Sequence, residues 1–320
     1  LAPSMLLRNP LRCTKSRFPV CGTLSLRLIG RPNKLTKVKI TCFCYYHTVR
    51  KVSLNRRQRF LDELIDVKRK GIDFEAIRCL NWNIRNPSLR RATKQMRWLE
   101  KNSFDMIVLT EVKLSQGCVY IRDRLASLGY TVMFPKPENE DYGVILAIRK
   151  FFKEIPKICV DFLPYRVSFA VCNLSEKDVL LTGIYVPTWR NEKKKMFLEA
   201  FEKLVKDEHL KRRFGGWIIL GDLNVLEPNH VPQYPVYKDW EYFYANFSAH
   251  GFVDAYRFFN PNKKEYSWFG REGNGYRFDH IFVSENTLPL LKNCFYVHEV
   301  RSEKLSDHSA MCLEIKSLAE

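Results

Sequence analysis

Residues 217–224 read Trp-Ile-Ile-Leu-Gly-Asp-Leu-Asn (WIILGDLN). Four apolar residues in a row, two of them β-branched, predict a short strand buried on both faces. Gly221 ends the run and an acid follows at once. A lone carboxylate at a strand end is ordinarily a turn former, but the arrangement recurs. Glu75–Asn83 reads as a strand leaving Asn83 at its end, and Asp105–Glu111 (DMIVLTE) delivers Glu111. Asp279 lies in a strand over Phe278–Val283, and Asp307 and His308 stand just before a strand over Ala310–Ile315. Strand ends at one edge of a sheet converge, and converging carboxylates repel unless a cation or a protonated group sits among them.

Between these runs the spacing turns helical. Ser88–Lys101 places Ala92, Met96 and Leu99 on one face, and Cys118–Leu128 stops at Gly129. Glu192–Val205 aligns Phe197, Ala200, Phe201, Leu204 and Val205, and Tyr237–His250 is an aromatic-rich helix. Further strands are expected at Tyr130–Phe134, Tyr142–Ile148, Val167–Asn173 and Val179–Tyr185. Strands of this kind with intervening helices predict two sheets with helices packed outside.

The 320 residues are enough for a substantial core. The longest apolar runs, Val144–Ile148 and Trp217–Leu220, fall far short of the roughly 18 residues that mark a membrane span. The net charge of +18 is unevenly placed: residues 1–80 hold 18 Lys and Arg against 5 Asp and Glu. Residues 1–61 contain no acid at all, and their Arg, Leu, Ser and Thr have the composition of an organellar transit peptide. A basic arm adding non-specific affinity is the alternative reading. The organisation expected is therefore a basic extension over 1–72, directing the chain to mitochondria or else leaving it nuclear or cytoplasmic, and one domain over 73–320. None of the ten cysteines forms a CxxC pair, and Cys79 and Cys312 sit in apolar runs as small hydrophobes. A reducing compartment fits this usage.

A set of Asp, Glu and Asn oxygens suits a hard cation such as Mg²⁺ or Mn²⁺ rather than zinc. His308, directly after an acid, adds a group that can donate a proton near neutral pH. The sequence holds no Gly-rich phosphate loop, no GxSxG and no HExxH. The chemistry that fits is metal-assisted attack of water on a phosphoester.

The ordered set LNWNIR (80–85), LTEVK (109–113), YVP (185–187), GDLN (221–224), YSWFG (266–270), GYRFDH (275–280) and LSDHSA (305–310) resembles the endonuclease/exonuclease/phosphatase superfamily. Within it the chain is most similar to the exonuclease III branch of AP endonucleases, especially the bacterial members, over roughly residues 75–316. The resemblance implies a DNase I-like fold, a four-layered α/β sandwich of two mixed sheets flanked by helices. It also implies roles. Glu111 matches the main metal-binding glutamate, with Asn83 assisting it and Asp307 a further acid near the metal. Asp222 and Asn224 match the pair that positions and polarises the attacking water, Asp222 being the general base. His308 matches the histidine on the scissile phosphate, Asp279 the acid that orients it, and Tyr185 the tyrosine near the phosphate or leaving group. Trp268, Tyr276 and Phe278 match the bulky side chains around a flipped abasic sugar, where an aromatic wall excludes a normal nucleotide by size.

The substrate expected from this resemblance is double-stranded DNA with an abasic site, cleaved by a monomer that does not engage membranes. The catalytic set does not itself name a substrate, because the superfamily also hydrolyses inositol phosphates, sphingomyelin, poly(A) and protein–DNA adducts. RNA or a small phosphoester stays open, as does a retroelement-type endonuclease. Thr188 departs from the family, standing where AP endonucleases often have Asn. Each site residue also has a bland reading. Asn83 could cap the helix near Ser88, Asp222 could close a turn, and the Lys193–Lys195 run reads as a solvated helix face before a strand-facing role on DNA. His280 reads as structural, and His47, His209, His230, His250 and His298 as structural or solvated. Tyr234, Tyr237, Trp240, Tyr242, Phe243 and Tyr244 read as helix packing before nucleic-acid stacking.

Overall fold

The computed structural model describes residues 76–188, 192–233 and 240–316. The transit-like segment, the stretch 60–73 (FLDELIDVKRKGID), which reads as a short helix closed by Gly71, and Cys13, Cys21, Cys42, Cys44, His47, Tyr234 and Tyr237 lie outside the described residues. The six described cysteines are free, and all but Cys159 are buried. None of the described helices is long and apolar enough to cross a membrane.

The first sheet takes β1 (Ala76–Asn83), β2 (Met106–Val112), β3 (Thr131–Met133), β4 (Gly143–Ile148), β13 (Leu291–Val297) and β14 (Ala310–Lys316). Their order is β13-β14-β1-β2-β4-β3. The second takes β5 (Phe152–Glu154), β6 (Val167–Leu174), β7 (Lys177–Tyr185), β8 (Gly216–Asp222), β9 (Phe252–Asp254) and β12 (Asp279–Ser284), in the order β5-β6-β7-β8-β12-β9, and β10 (Trp268–Phe269) and β11 (Gly275–Tyr276) pair as a separate hairpin. Each sheet holds one parallel pair, β1 with β2 and β7 with β8, and antiparallel neighbours elsewhere. The parallel pairs are joined by the crossover helices α1 (Leu89–Asn102) and α3 (Glu192–Lys206), as parallel pairing demands. Helix α2 (Gln116–Ser127) lies beside α1, and α4 (Glu208–Arg213) and α5 (Glu241–Ala249) belong to the layer of α3.

The layers follow from strand alternation. In β1, Ile77 and Cys79 face the second sheet while Leu80 and Trp82 face the helices, where Ala92, Met96 and Leu99 of α1 and Ile121 and Leu125 of α2 cover them. In β8, Ile218 and Leu220 face the first sheet while Trp217 and Ile219 face Phe197, Phe201, Phe243 and Phe247. Trp240, Phe243 and Tyr244 belong to this outer core, so the aromatic helix packs as expected and leaves Tyr242 exposed. The result is helix–sheet–sheet–helix, the four-layered sandwich expected.

The inward-facing parity continues to the strand ends and changes character there. After Ile77 and Cys79 the same face of β1 carries Asn81 and Asn83. After Ile218 and Leu220 the same face of β8 carries Asp222. Asn81 Nδ2 donates to Gly221 O at 3.1 Å, so polar side chains join the two sheets at this edge. Any side chain at Gly221 would meet Ile184 O at 1.9 Å, which explains the glycine before the acid.

Candidate active site

Asn83 is the link between the sheets at this rim. Its Nδ2 donates to Asp222 Oδ2 at 2.8 Å, its Oδ1 accepts from Arg85 N at 2.9 Å, and its main-chain O accepts from Ser306 Oγ at 2.6 Å. The helix-cap alternative falls, because Ser88 itself caps α1 by accepting from Arg91 N.

Glu111 reaches the rim through a backbone irregularity. In a regular β2 it would share the outer face of Ile107 and Leu109. The β2–β4 register shifts between Thr110 and Val112, and Glu111 has φ of 56°, in the left-handed region. Val112 then takes the outer face in its place. A bulge of this kind re-aims one side chain, and here it brings Glu111 onto Asn83. Burial raises the Glu111 proton affinity and nearby Asp307 adds to it, against the Asn83 hydrogen bond and the His308 charge.

Asp222, Asp279 and His308 form a buried triad whose ligand atoms lie within 4.8 Å of one another. The β8–β12 register sets Asp222 opposite Asp279. His308 Nδ1 donates to Asp279 Oδ2 at 2.7 Å. Burial alone would lower the His308 proton affinity, but the Asp279 charge and hydrogen bond outweigh it and hold the imidazole at about 9. His308 is therefore a cation at neutral pH, with its Nδ1 engaged. Burial and the Asp279 charge push the Asp222 carboxyl up to about 7, although His308, Asn83 and the Asn224 N–H favour its ionised form. Asp279 Oδ1 is buried with no hydrogen-bond partner among the described residues. Its backbone is pinned instead, since Ser267 Oγ accepts from Asp279 N at 3.2 Å and Tyr296 Oη donates to Asp279 O at 2.7 Å.

Glu111, hydrogen-bonded to Asn83 and within reach of the Asp307 charge, forms with these two an all-oxygen donor set that fits a hard divalent cation. Asp307, whose side chain is 37% exposed, lies 3.7 Å from Arg85 Nε and 3.4 Å from Trp268 Nε1. Tyr185 is buried at the end of β7 beneath the Arg166 guanidinium, 4.9 Å from its ring. Burial and the charges of Glu111 and Asp222 keep its phenol protonated.

The aromatic residues complete the rim. Trp268 and His308 pair as an isolated bridge, and Ser309 N donates to Ser267 O at 2.8 Å. This sets Trp268, Tyr276 and Phe278 beside the histidine, with ring centroids 5.8–6.1 Å apart and Leu226 packed among them. Behind this wall lies Arg277, completely buried. It pairs with Asp254 and lies 3.2 Å from Glu227 Oε2, while Arg257 Nε reaches the same oxygen at 2.6 Å. His280 faces this network, with Nδ1 3.4 Å from Asp254 and Nε2 3.0 Å from Val225 O, and is structural as expected.

Burial favours the neutral Glu227 carboxyl, yet the Arg257 hydrogen bond and the Arg277 and Arg257 charges outweigh it and hold it at about 2. A carboxylate depressed on folding stabilises the protein above its unfolded pKa near 4 and loses that contribution as pH falls toward its folded value. It is worth on the order of 2–3 kcal/mol at neutral pH. Urea unfolding of wild type should weaken steeply from pH 5 to 3, and Glu227→Gln should be less stable at pH 7 with a shallower acid dependence. Parallel curves for the two proteins would remove Glu227 from the account.

The structure thus gathers Asn83, Glu111, Tyr185, Asp222, Asn224, Asp279, Asp307 and His308 at one rim and Trp268, Tyr276 and Phe278 beside it. Sequence reasoning passed over Ser267, Ser306, Tyr296, Arg166 and Asp141. Ser267 and Ser306 fall inside quoted motifs, YSWFG and LSDHSA, and that was the available signal. Asp141 accepts from Arg166 Nη2 at 2.6 Å and Lys193 Nζ at 2.8 Å, a contact no local pattern announces. The lysine run is a correction. Only Lys195 is exposed, and Lys194 is completely buried, because the first turn of α3 faces the end of β8.

No protein-family model matches the chain, and no curated protein matches it in sequence. Solved structures do match. The 3′ phosphatase NExo from Neisseria, bound to a product DNA hairpin, aligns with a TM-score of 0.65 at 23% identity over 75% of this chain and 100% of that one. The 3′-5′ exonuclease NExo from Neisseria meningitidis gives 0.62 at 23% over 75% and 99%. An AP endonuclease from Archaeoglobus fulgidus gives 0.62 at 20% over 76% and 100%. The chain has their fold. The DNase I-like architecture expected from the seven motifs is therefore the one observed.

Proposed function

We propose that this protein is a divalent-metal-dependent phosphodiester hydrolase acting on DNA, an AP endonuclease with 3′-5′ exonuclease capacity that serves base excision repair. The observation that carries the reading is the buried Asp222–Asp279–His308 triad, laced to Glu111 through Asn83 and walled on one side by Trp268, Tyr276 and Phe278. The DNA hairpin, exonuclease and AP endonuclease named for the similar folds support DNA over other phosphoesters. The acid-free composition of residues 1–61 supports delivery to an organelle.

Hydrolysis adds water to phosphorus and breaks the bond to a sugar oxygen. Asp222, with its raised proton affinity, takes the water proton, and the two donors on its oxygens hold it in place. Asn224 stands beside it to orient the water. His308, kept cationic by Asp279, donates to a non-bridging phosphoryl oxygen as charge grows there. Tyr185, kept neutral, supplies a hydroxyl near the leaving oxygen. Glu111, Asn83 and Asp307 would hold a divalent cation, which supplies Lewis-acid neutralisation of the phosphoryl charge. The aromatic wall admits a sugar without its base more readily than a full nucleotide, so removal of 3′ nucleotides is the slower reaction.

The test is a panel of abasic duplex, intact duplex, poly(A) and a soluble phosphodiester, each with Mg²⁺ and with chelator. The expected result is incision 5′ of the abasic site with Mg²⁺ only, with slower shortening of 3′ ends. Equal turnover of poly(A) or of the soluble diester would transfer the assignment to the RNA or small-phosphoester alternative.

A further inference from the structure

The three lysines that open α3 part company in the structure. Lys195 is exposed, 3.6 Å from Glu192, and Lys193 reaches Asp141 at the surface. Lys194 turns inward. Its Nζ donates to the main-chain O of Asn224 at 2.5 Å and lies 5.3 Å from the centroid of the Trp240 ring. Ammonium groups are almost never fully enclosed unless paired, since leaving water is costly. Burial draws the Lys194 proton affinity down to about 7, against the attraction of Asp222.

What Lys194 holds is the turn that presents Asp222 and Asn224. Asn224 has φ of 48°, in the left-handed region. Its N–H donates to Asp222 Oδ1 at 3.0 Å, and its Nδ2 donates to Val186 O at 3.0 Å. Val186 N donates in turn to Asp222 O at 3.0 Å. On either side the chain is tied down, Leu223 N to Phe278 O at 3.0 Å and Val225 O to His280 Nε2 at 3.0 Å. The Asn224 peptide lies between these ties, and the charge on it comes from the outer helix layer. Anchoring α3 does not require this bond, because Phe197, Phe201 and Val205 already bury that helix in the outer core.

We infer that Lys194 is a positioning residue whose ammonium fixes the Asn224 peptide and thereby the aim of the Asn224 side chain at the attacking water. The inference rests on the phosphodiesterase reading of the rim. A misplacement of about 1 Å at such a site can cost as much as 10²-fold in rate.

The experiment compares Lys194→Met, which keeps the apolar stem and removes the donor, with Lys194→Gln, which keeps an N–H on a shorter reach. On abasic duplex, Lys194→Met should lower kcat about 30-fold with KM within about threefold, and Lys194→Gln should recover part of the loss. In an Asn224→Gly background, which tolerates the left-handed turn, Lys194→Met should cost less than about threefold more. Lys195→Met should leave kcat unchanged. Amide exchange over Leu223–Leu226 should quicken in Lys194→Met while that of Phe197–Val205 does not. Wild-type kcat in Lys194→Met, or the same multiplicative loss in both backgrounds, overturns the inference. Should Lys194→Met fail to fold, Lys194→Gln carries the same comparisons. The exchange readout needs no substrate. A wild type that cleaves no phosphodiester sinks the function, whereas unchanged exchange at 223–226 sinks the role of Lys194.

Discussion

An Asp222→Asn variant should turn over abasic duplex about 10³-fold more slowly while binding it as tightly as wild type. Asparagine nearly preserves the shape of the side chain but cannot accept the water proton. Asn83 Nδ2 and Asn224 N both donate to Asp222, at 2.8 and 3.0 Å, so an amide there leaves one donor facing an NH₂ group. That mismatch costs part of the rate, and the missing base costs the rest. Stability should move the other way. The folded state holds the Asp222 proton more tightly than the unfolded chain, because the side chain is buried beside Asp279. For a carboxyl raised on folding, stability is lost as pH climbs from the unfolded pKa near 4 to the folded value. In the absence of metal, ionisable Asp222 should therefore subtract stability between pH 4 and 7, a loss that appears as the difference between the wild-type and Asp222→Asn curves. Urea unfolding at several pH values, beside single-turnover cleavage, checks both halves. A variant with wild-type kcat would dismiss Asp222 as the base, whatever its stability.

Much of this site was legible because its residues continue an alternation the sequence displays. Once Ile218 and Leu220 are placed inward, Asp222 must point inward too, and the same argument places Asn83 after Ile77 and Cys79. The bulge at Glu111 breaks that alternation, and no residue in Leu-Thr-Glu-Val signals a left-handed glutamate. Without the family resemblance, parity alone would have turned Glu111 toward the helices. The hairpin strands Trp268–Phe269 and Gly275–Tyr276 are two residues each, too short for any period to register. Strand β13 (LKNCFYV) mixes exposed and buried positions at a sheet edge and hides its pattern. Lys194 was misread for a different reason. Three consecutive lysines look alike in sequence, and only the packing of α3 against the end of β8 decides which one is enclosed.

Removing His308 should lower kcat about 10²–10³-fold and change abasic-duplex affinity little, since a preorganised cationic donor acts mainly in the transition state and affinity comes from many backbone contacts. Asp279→Asn should cost less. The imidazole remains, but it loses the partner 2.7 Å from Nδ1 that holds its proton. The kcat–pH profile separates the two changes. Wild-type His308 titrates at about 9 because the Asp279 charge and hydrogen bond overcome burial. In Asp279→Asn the charges of Asp222 and Asp307 still favour the imidazolium, but its largest support against burial is gone, so the alkaline limb should move to lower pH. The relief of crowding on Asp222 should move the acid limb the same way, because Asp279 is the charge that opposes its ionisation. The double variant should match His308→Ala alone, as two residues acting as one unit do. Multiplicative losses would mean that Asp279 acts elsewhere, and an unmoved alkaline limb would mean that the proton on His308 is not the one the reaction uses.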